Sequence, residues 1–215
     1  MTAAGLGAAR DRGARATRII GLTGPIGCGK TTVLGWLAER GAHPIDADAV
    51  ARAVAAPGEP GHDAVLGVFG ADVRVDDGTL DRSALARIVF RDPAALRRLE
   101  AILHPLVRER IIAEIEEARA GGAPAVVVEA IKLVEGGLAE LCDEVWLVTC
   151  RSTVQRERVI DRGLDPGEAD RRIAAQAGIE DRVRPVATRV IDTSGPIGDT
   201  RARVVAAWDD ATSGG

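Results

Sequence analysis

The sequence predicts an α/β fold, a parallel five-stranded sheet flanked by helices, with a helical insertion and a helical lid. Three observations predict it. RIIGLT over residues 18–23 reads as a short buried strand that runs into a glycine-rich stretch and then a helical pattern. The runs AVVV (125–128) and EVWLVT (144–149) are near-continuously apolar, as suits strands covered on both faces. Between them, residues 49 to about 120 offer helical spacing and no convincing strand, so an insertion interrupts the sheet.

Taken in order, the elements are these. After the first strand and its glycines, Lys30 to Arg40 places Val33, Leu34, Leu37 and Ala38 on one helical face, with Gly41 as the stop. Ala42 to Ile45 is a second short strand that ends at Asp46-Ala47-Asp48. In the insertion, residues 49–56, 62–69 and 83–90 read as short helices, the last with Asp81 as a cap. Residues 93–118 carry a long apolar periodicity that starts at Asp92-Pro93, and Pro105 is expected to break or kink it near His104. Strands resume at 125–128 and 144–149, and 154–160 is helical. Arg162 to Arg184, dense in Arg, Asp and Gly, reads as a polar helical pair over a cleft, and residues 189–191 and 197–208 supply the last strand and a closing helix.

The organisation expected is therefore a nucleotide-binding core over 18–48 and 121–208, with a lid at about 162–186 and a helical substrate-binding insertion over 49–120. Residues 1–17, rich in Ala, Gly and Arg without an apolar stretch, read as a disordered extension and not a signal peptide, and 209–215 as a flexible tail.

Composition limits the function classes. A chain of 215 residues, 46% hydrophobic and 28% charged, is ordinary globular material with room for one core and an inserted subdomain. Its net charge of −4 speaks against a dedicated nucleic-acid binder. No apolar run approaches the roughly 18 residues of a membrane span. A monomer acting on small molecules is expected. Cys28, Cys142 and Cys150 have neither metal-ligand spacing nor the even number of a disulfide framework, which fits a reducing cytoplasm, and His43, His62 and His104 form no cluster that suggests zinc. Of 28 basic residues only Lys30 and Lys132 are lysine. That bias is readable as genome composition, or as lysine surviving where a planar guanidinium cannot serve.

Gly24-Pro25-Ile26-Gly27-Cys28-Gly29-Lys30-Thr31 matches G-x-x-x-x-G-K-[ST] in full, between a predicted strand and a predicted helix. Glycines let successive N–H groups turn inward onto phosphate oxygens, and the helix adds its positive end. Lys30 is placed to reach the β- and γ-phosphates and the Thr31 hydroxyl to bind Mg²⁺, so ATP and Mg²⁺ are the expected ligands. The Cys28 side chain is readable as a small filler or as a thiol whose pKa the helix N-terminus lowers. The loop alone does not define the reaction. The chain is short for a motor, and N-K-x-D, which reads guanine, is absent. Asp46 and Asp48 alternate at a strand end, where a loop could aim a carboxylate at the γ-phosphate, or where one could merely cap a helix. Arg158, Arg162, Arg171, Arg172, Arg182 and Arg184 suit a lid as a group, although any single one is readable as solvated surface.

At this point the chain resembles the dephospho-coenzyme A kinase family. The resemblance rests on IGLTGPIGCGKTT (20–32), IDADAVAR (45–52), PGEPG (57–61), FGADV (69–73), DGTLDRSALARIVF (77–90), LEAILHPLVR (99–108), VEGGL (134–138), IAAQ (173–176) and VIDTSG (190–195), and covers about residues 18–208. It implies a P-loop kinase-like build and transfer of the ATP γ-phosphoryl to the ribose 3′-hydroxyl of dephospho-coenzyme A. It implies Asp48, Lys30, Arg158 and Arg162 as catalytic, and Gly24, Gly27, Cys28, Gly29, Lys30, Thr31, Thr32 and Gly195 as ATP-binding. Asp48, Arg52, His104 and Lys132 would bind the acceptor, with Thr31 and Glu129 at the metal. Whether His104 touches substrate or packs stays open, as does contact or exposure for Lys132, which stands where Leu is usual. Pro25 and Cys28 depart from a common Gly and Ser, and Arg182 stands in for a missing lysine. Another small-molecule or nucleoside monophosphate kinase, or a non-catalytic ATP-binding protein, remains an alternative reading.

Overall fold

The computed structural model describes residues 17–75 and 78–213. β1 (Arg18–Thr23) leads through the glycine loop into α1 (Lys30–Ala38), and β2 (His43–Asp46) runs straight into α2 (Ala47–Val54). The insertion continues with α3 (Pro60–Phe69), α4 (Arg82–Arg91) and the long α5 (Pro93–Ala120). β3 (Ala125–Glu129), β4 (Glu144–Thr149), α6 (Ser152–Asp161), α7 (Pro166–Ala175), α8 (Ile179–Val183), β5 (Arg189–Asp192) and α9 (Ile197–Ser213) complete the chain. The sheet has five parallel strands in the order β2-β3-β1-β4-β5.

Each strand alternates its side chains between two apolar layers, which is what near-continuous hydrophobic strands demand. Ile19, Val126, Val128, Val145 and Leu147 face a layer closed by α2, α5 and α8. Ile20, Leu22, Val127, Trp146, Val148 and Ile191 face the other, closed by α1 and α9. A satellite cluster around Val65, Val73 and Leu80 ties α3 and α4 to α5. Helix starts follow local chemistry: Asp81 and Asp92 accept from Ala84 N (2.8 Å) and Ala94 N (2.7 Å), and Pro93 occupies the first turn of α5.

Two expectations change, and one left open is decided. α5 does not break at Pro105 but runs unbroken from Pro93 to Ala120. Pro105 lacks the N–H that would serve the Ala101 carbonyl, but both residues lie on the exposed side of the helix, where water can take that place. The expected tail from 209 is helical to Ser213: Ala211 is buried, its carbonyl accepts from Arg18 Nε at 3.2 Å, and Asp209 and Asp210 pair with Arg40 and Arg189. Of the two readings of Asp46 to Asp48, the helix cap holds: the Asp46 carboxylate accepts from Ala49 N at 2.9 Å and starts α2 there, so the stretch is a strand-to-helix junction. The expected extension over 1–17 lies outside the described residues except for Thr17, whose hydroxyl donates to the Ala123 carbonyl at 2.9 Å. Among the described residues no helix is long and apolar enough to cross a membrane.

Ile111 sits fully buried in the layer that also holds Val50 and Val54 of α2, so it seats the helix that carries Asp48. Truncation to alanine leaves a cavity there, and Ile111→Ala is expected to lower the unfolding free energy by about 2–5 kcal/mol. Phe90→Ser, at an 86% exposed position, should move it by less than about 0.5 kcal/mol. Urea titration of both variants checks the contrast.

Candidate functional site

The glycine loop is shaped by contacts as well as by conformation. At Gly24 φ is +145° and a Cβ would lie 2.1 Å from the Val148 carbonyl oxygen, so neither the angle nor the space admits a side chain. At Gly27 φ is +80° and a Cβ would meet Gln155 O and Val159 Cγ2 at 2.8 Å. Among the described residues no side chain caps the N-terminus of α1; Thr32 N and Val33 N turn back to the Gly29 carbonyl, which leaves the first N–H groups, of Lys30 and Thr31, for an anion.

Side chains from the far half of the chain fix the loop. Gln155 Nε2 donates to the Ile26 carbonyl at 2.9 Å, and Ile26 N donates to Gln176 Oε1 at 2.7 Å. Thr193 Oγ1 lies 2.8 Å from the Cys28 carbonyl, which accepts from it, and Arg158 donates to Thr193 Oγ1 (2.8 Å) and to Thr193 O (2.7 Å). The two glutamines are loop clips that sequence reasoning missed. Gln176 ends the IAAQ block, and Gln155 is a polar residue buried on α6, a signal visible only once burial is known.

Lys30 is buried at 8% exposure beneath the loop. Its ammonium donates to the Pro25 carbonyl at 3.4 Å and lies 4.0 Å from Glu129 Oε1. Burial lowers its pKa, with Glu129, Cys28 and Asp48 opposing and Arg162 adding to the fall. Burial likewise raises the Glu129 pKa, against the pull of Lys30 and with help from Asp46 and Asp48. Desolvation outweighs attraction for both partners, so the pair is short of compensating charge. Asp48, exposed in the first turn of α2, bears on both groups through its charge.

Two cavities flank the loop. A groove of about 340 Å³ is lined by Gly29, Thr32, Trp36, Arg158, Asp161, Arg162, Thr193, Gly195 and Ile197. Trp36, Asp161 and Ile197 were not anticipated; the signals were a tryptophan one turn beyond Thr32 and an isoleucine left 72% exposed. The second cavity, about 360 Å³, is lined mainly by apolar residues of α2, α5 and the segment after β3, among them Ala51, Leu99, Leu103 and Leu138. Asp48, Glu100, His104 and Lys132 are its polar members. Lys132 Nζ meets Glu100 Oε1 across it at 2.8 Å.

Other expectations fall elsewhere. Arg52 does not line the second cavity but points to the next groove and pairs with Asp46 at 3.7 Å. Arg171 and Arg172 both bind Glu168, Arg184 pairs with Glu180, and Arg182 binds Glu135 at 2.7 Å. Of the six arginines suggested for a lid, Arg158 and Arg162 reach the groove. Arg162 makes no ion pair among the described residues. The Cys28 thiol is not lowered by the helix end; its hydrogen bond to Cys150 and its burial push it well up. Among the described residues no three His, Cys, Asp or Glu side chains cluster as a metal site. Thr31 and Glu129 are the donors beside the loop, a sparse set of the kind that suits a cation held mostly by phosphates and water.

Comparison with known proteins gives consistent matches. The sequence profile of the Dephospho-CoA kinase family matches residues 18–199. A Dephospho-CoA kinase of Symbiobacterium thermophilum is 48% identical over 198 residues, 92% of this chain and 82% of that one. Among solved structures, TT1252 from Thermus thermophilus superposes with a TM-score of 0.77 at 34% identity over 91% of this chain and 98% of that one. The dephospho-CoA kinase from Campylobacter jejuni superposes at 0.67 and 23% identity, with the same coverage, and shares the fold.

Removing the Glu129 charge leaves burial to act on Lys30 with less opposition, so its pKa falls further in Glu129→Gln. The protonated lysine is the form that holds an anion. Affinity for ATP is therefore lost as pH rises through that pKa, and the alkaline limb should shift to lower pH in the variant. With two lysines in the chain, ¹³C-lysine NMR titration reads the shift directly, with Lys132 as the internal control.

Proposed function

Because this chain belongs to the dephospho-coenzyme A kinase family, we propose that its two cavities divide the reaction, ATP in the groove between α1 and α9 and the acceptor in the apolar cavity between α2 and α5. The chain transfers the γ-phosphoryl of ATP to dephospho-coenzyme A. The acceptor is the ribose 3′-hydroxyl. One observation carries the division: Asp48 lines the second cavity, and its charge bears on both Lys30 and Glu129 beside the loop.

In this reading the N–H groups of the loop and the helix end hold the β-phosphate, and Lys30 bridges to the γ-phosphate. Thr32 and Gly195 line the path of the nucleotide, and Trp36 with Ile197 offers an apolar platform to the base. Asp48 takes the proton of the 3′-hydroxyl as its oxygen bonds to the γ-phosphorus. The bond from that phosphorus to the bridging oxygen breaks, and ADP leaves with the electron pair. Arg162, without an ion-pair partner among the described residues, stabilises the charge on the phosphoryl oxygens. Arg158 is fixed to Thr193 and serves as wall and anchor. Thr31 and Glu129 would hold Mg²⁺, which supplies charge neutralisation on the phosphates.

The cavity lining of leucine and alanine suits a long acceptor with an apolar arm better than a second nucleobase. Lys132 and His104 at its mouth, with Arg52 near the rim, bind the acceptor's phosphates and polar groups. The segment from about 162 to 186, α7 and α8, acts as the lid, and Gln176 links its position to the loop. The chain acts as a monomer on small molecules in the cytoplasm. Its net charge of −4 and three free cysteines support that setting.

Incubation with ATP and dephospho-coenzyme A should yield a product heavier by one phosphoryl group, placed on the 3′-oxygen by NMR. Asp48→Asn is expected to lower kcat by on the order of 10²-fold or more while ATP affinity is kept. Turnover near that of the wild type would remove Asp48 from the proton-transfer step.

A further inference from the structure

Cys28 and Cys150 meet behind the phosphate loop, with their Sγ atoms 2.6 Å apart. A disulfide spans about 2.05 Å, so closing the gap takes a shift of roughly half an ångström. Both are free, as is Cys142, whose thiol contacts the Leu138 carbonyl at 3.3 Å beside the opposite layer of the sheet. The two neighbours differ in access. Cys28 is 1% exposed and packed into the layer beneath the loop, whereas Cys150, just past β4, is partly open.

They also differ in charge. The contact between the two thiols holds the Cys150 pKa down, Arg158 adds to that, and burial, Glu180 and Asp192 oppose it; the balance is downward. The same contact and burial push Cys28 upward. A partly open sulfur whose pKa is held below the usual thiol range, in contact with a sheltered thiol, is the arrangement of an attacking and a resolving cysteine.

We propose that Cys28 and Cys150 form an oxidative modification site, a reversible disulfide that staples the phosphate loop to the end of β4, with a hydroperoxide as the oxidant. The Cys150 thiolate attacks one peroxide oxygen, the O–O bond breaks, and the other oxygen leaves as water or alcohol after taking a proton. Cys150 is then a sulfenic acid. The Cys28 sulfur attacks the Cys150 sulfur, the S–O bond breaks, and hydroxide leaves as water with the Cys28 proton. Two electrons pass from the two sulfurs to the peroxide, and a dithiol reverses the bond. The bond forms on the core side of the loop, where Cys28 packs, and leaves the uncapped start of α1 in place. It closes a span of 122 residues, which restricts the unfolded chain far more than the folded one.

The full chain, reduced and then exposed to a small excess of hydrogen peroxide, tests this by intact mass and alkylation under denaturing conditions. A loss of about 2 Da is expected, with one alkylatable cysteine remaining of the three and a linked peptide that joins Cys28 to Cys150. Dithiothreitol should restore all three. The oxidised chain should melt higher by roughly 5 °C or more, with ATP affinity within about two-fold of the reduced form. Cys142→Ser should keep the mass loss. Cys28→Ser should instead gain about 16 Da at Cys150, and Cys150→Ser should gain little. Three alkylatable thiols after oxidation, a bond through Cys142 or between two molecules, or equal gain in both single variants overturns the proposal. So does a fall of about ten-fold or more in ATP affinity when the bond forms.

Discussion

The site depends on holding one ammonium largely out of reach of water. Lys30 lies under a loop of main-chain amides with a single carboxylate at 4.0 Å and a carbonyl at 3.4 Å. An ion so placed is stable only when opposite charge and hydrogen bonds offset its lost hydration. Glu129 offsets part of that and is itself burdened by burial. What remains is an unmet demand for negative charge beside the uncapped N-terminus of α1, and a triphosphate meets both at once. A guanidinium would bring a wider planar fork to the same space, which gives a physical reason for one of the chain's two lysines to stand there among so many arginines.

That demand can be met because of the sheet order. β1 is central, β3 lies beside it with Leu22 opposite Glu129, and β2 lies beyond with Asp46 opposite Glu129. Parallel strands end at a common edge, so the loop after β1, Glu129, Asp48 after β2, Cys150 and Gln155 after β4 and Thr193 after β5 arrive together from distant parts of the sequence. The edge is then closed by clips in place of a hydrophobic lid: Gln155 and Gln176 hold the loop tip, and Thr193 holds its base.

What could be read from sequence was what is written in consecutive residues. The strand, loop and helix around Gly24 to Thr31, the five strands and the start of α5 are local patterns of burial and capping, and they stand where the sequence places them. Readings failed where a second element decides the outcome. At Asp46 a loop and a helix cap are equally readable, and the helix that follows makes it the cap. Pro105 is tolerated because its missing bond falls on the wet side of α5, a matter of packing and not of the proline. Residues 209–213 look like a polar tail until Arg18, Arg40 and Arg189 are set against them. The lid arginines show the same limit, because composition brings them to one region but only the fold reveals which carboxylates claim them.

The pairing of each cation bears on the work it can do. Lys132 meets Glu100 at a position where the lysine side chain is 55% exposed. Such a pair contributes little to stability and exchanges partners readily, so a substrate phosphate can replace the glutamate without disturbing the fold. Arg158 is different: its guanidinium is bound to both the side chain and the main chain of Thr193, which in turn holds the loop. Drawing it towards a phosphoryl group would release the loop at the moment when positioning matters most. Among the described residues Arg162 lines the same groove without such an anchor, and for that reason the proposed mechanism gives it the charge that follows the phosphoryl group in transfer, and gives Arg158 the rigidity that makes transfer possible.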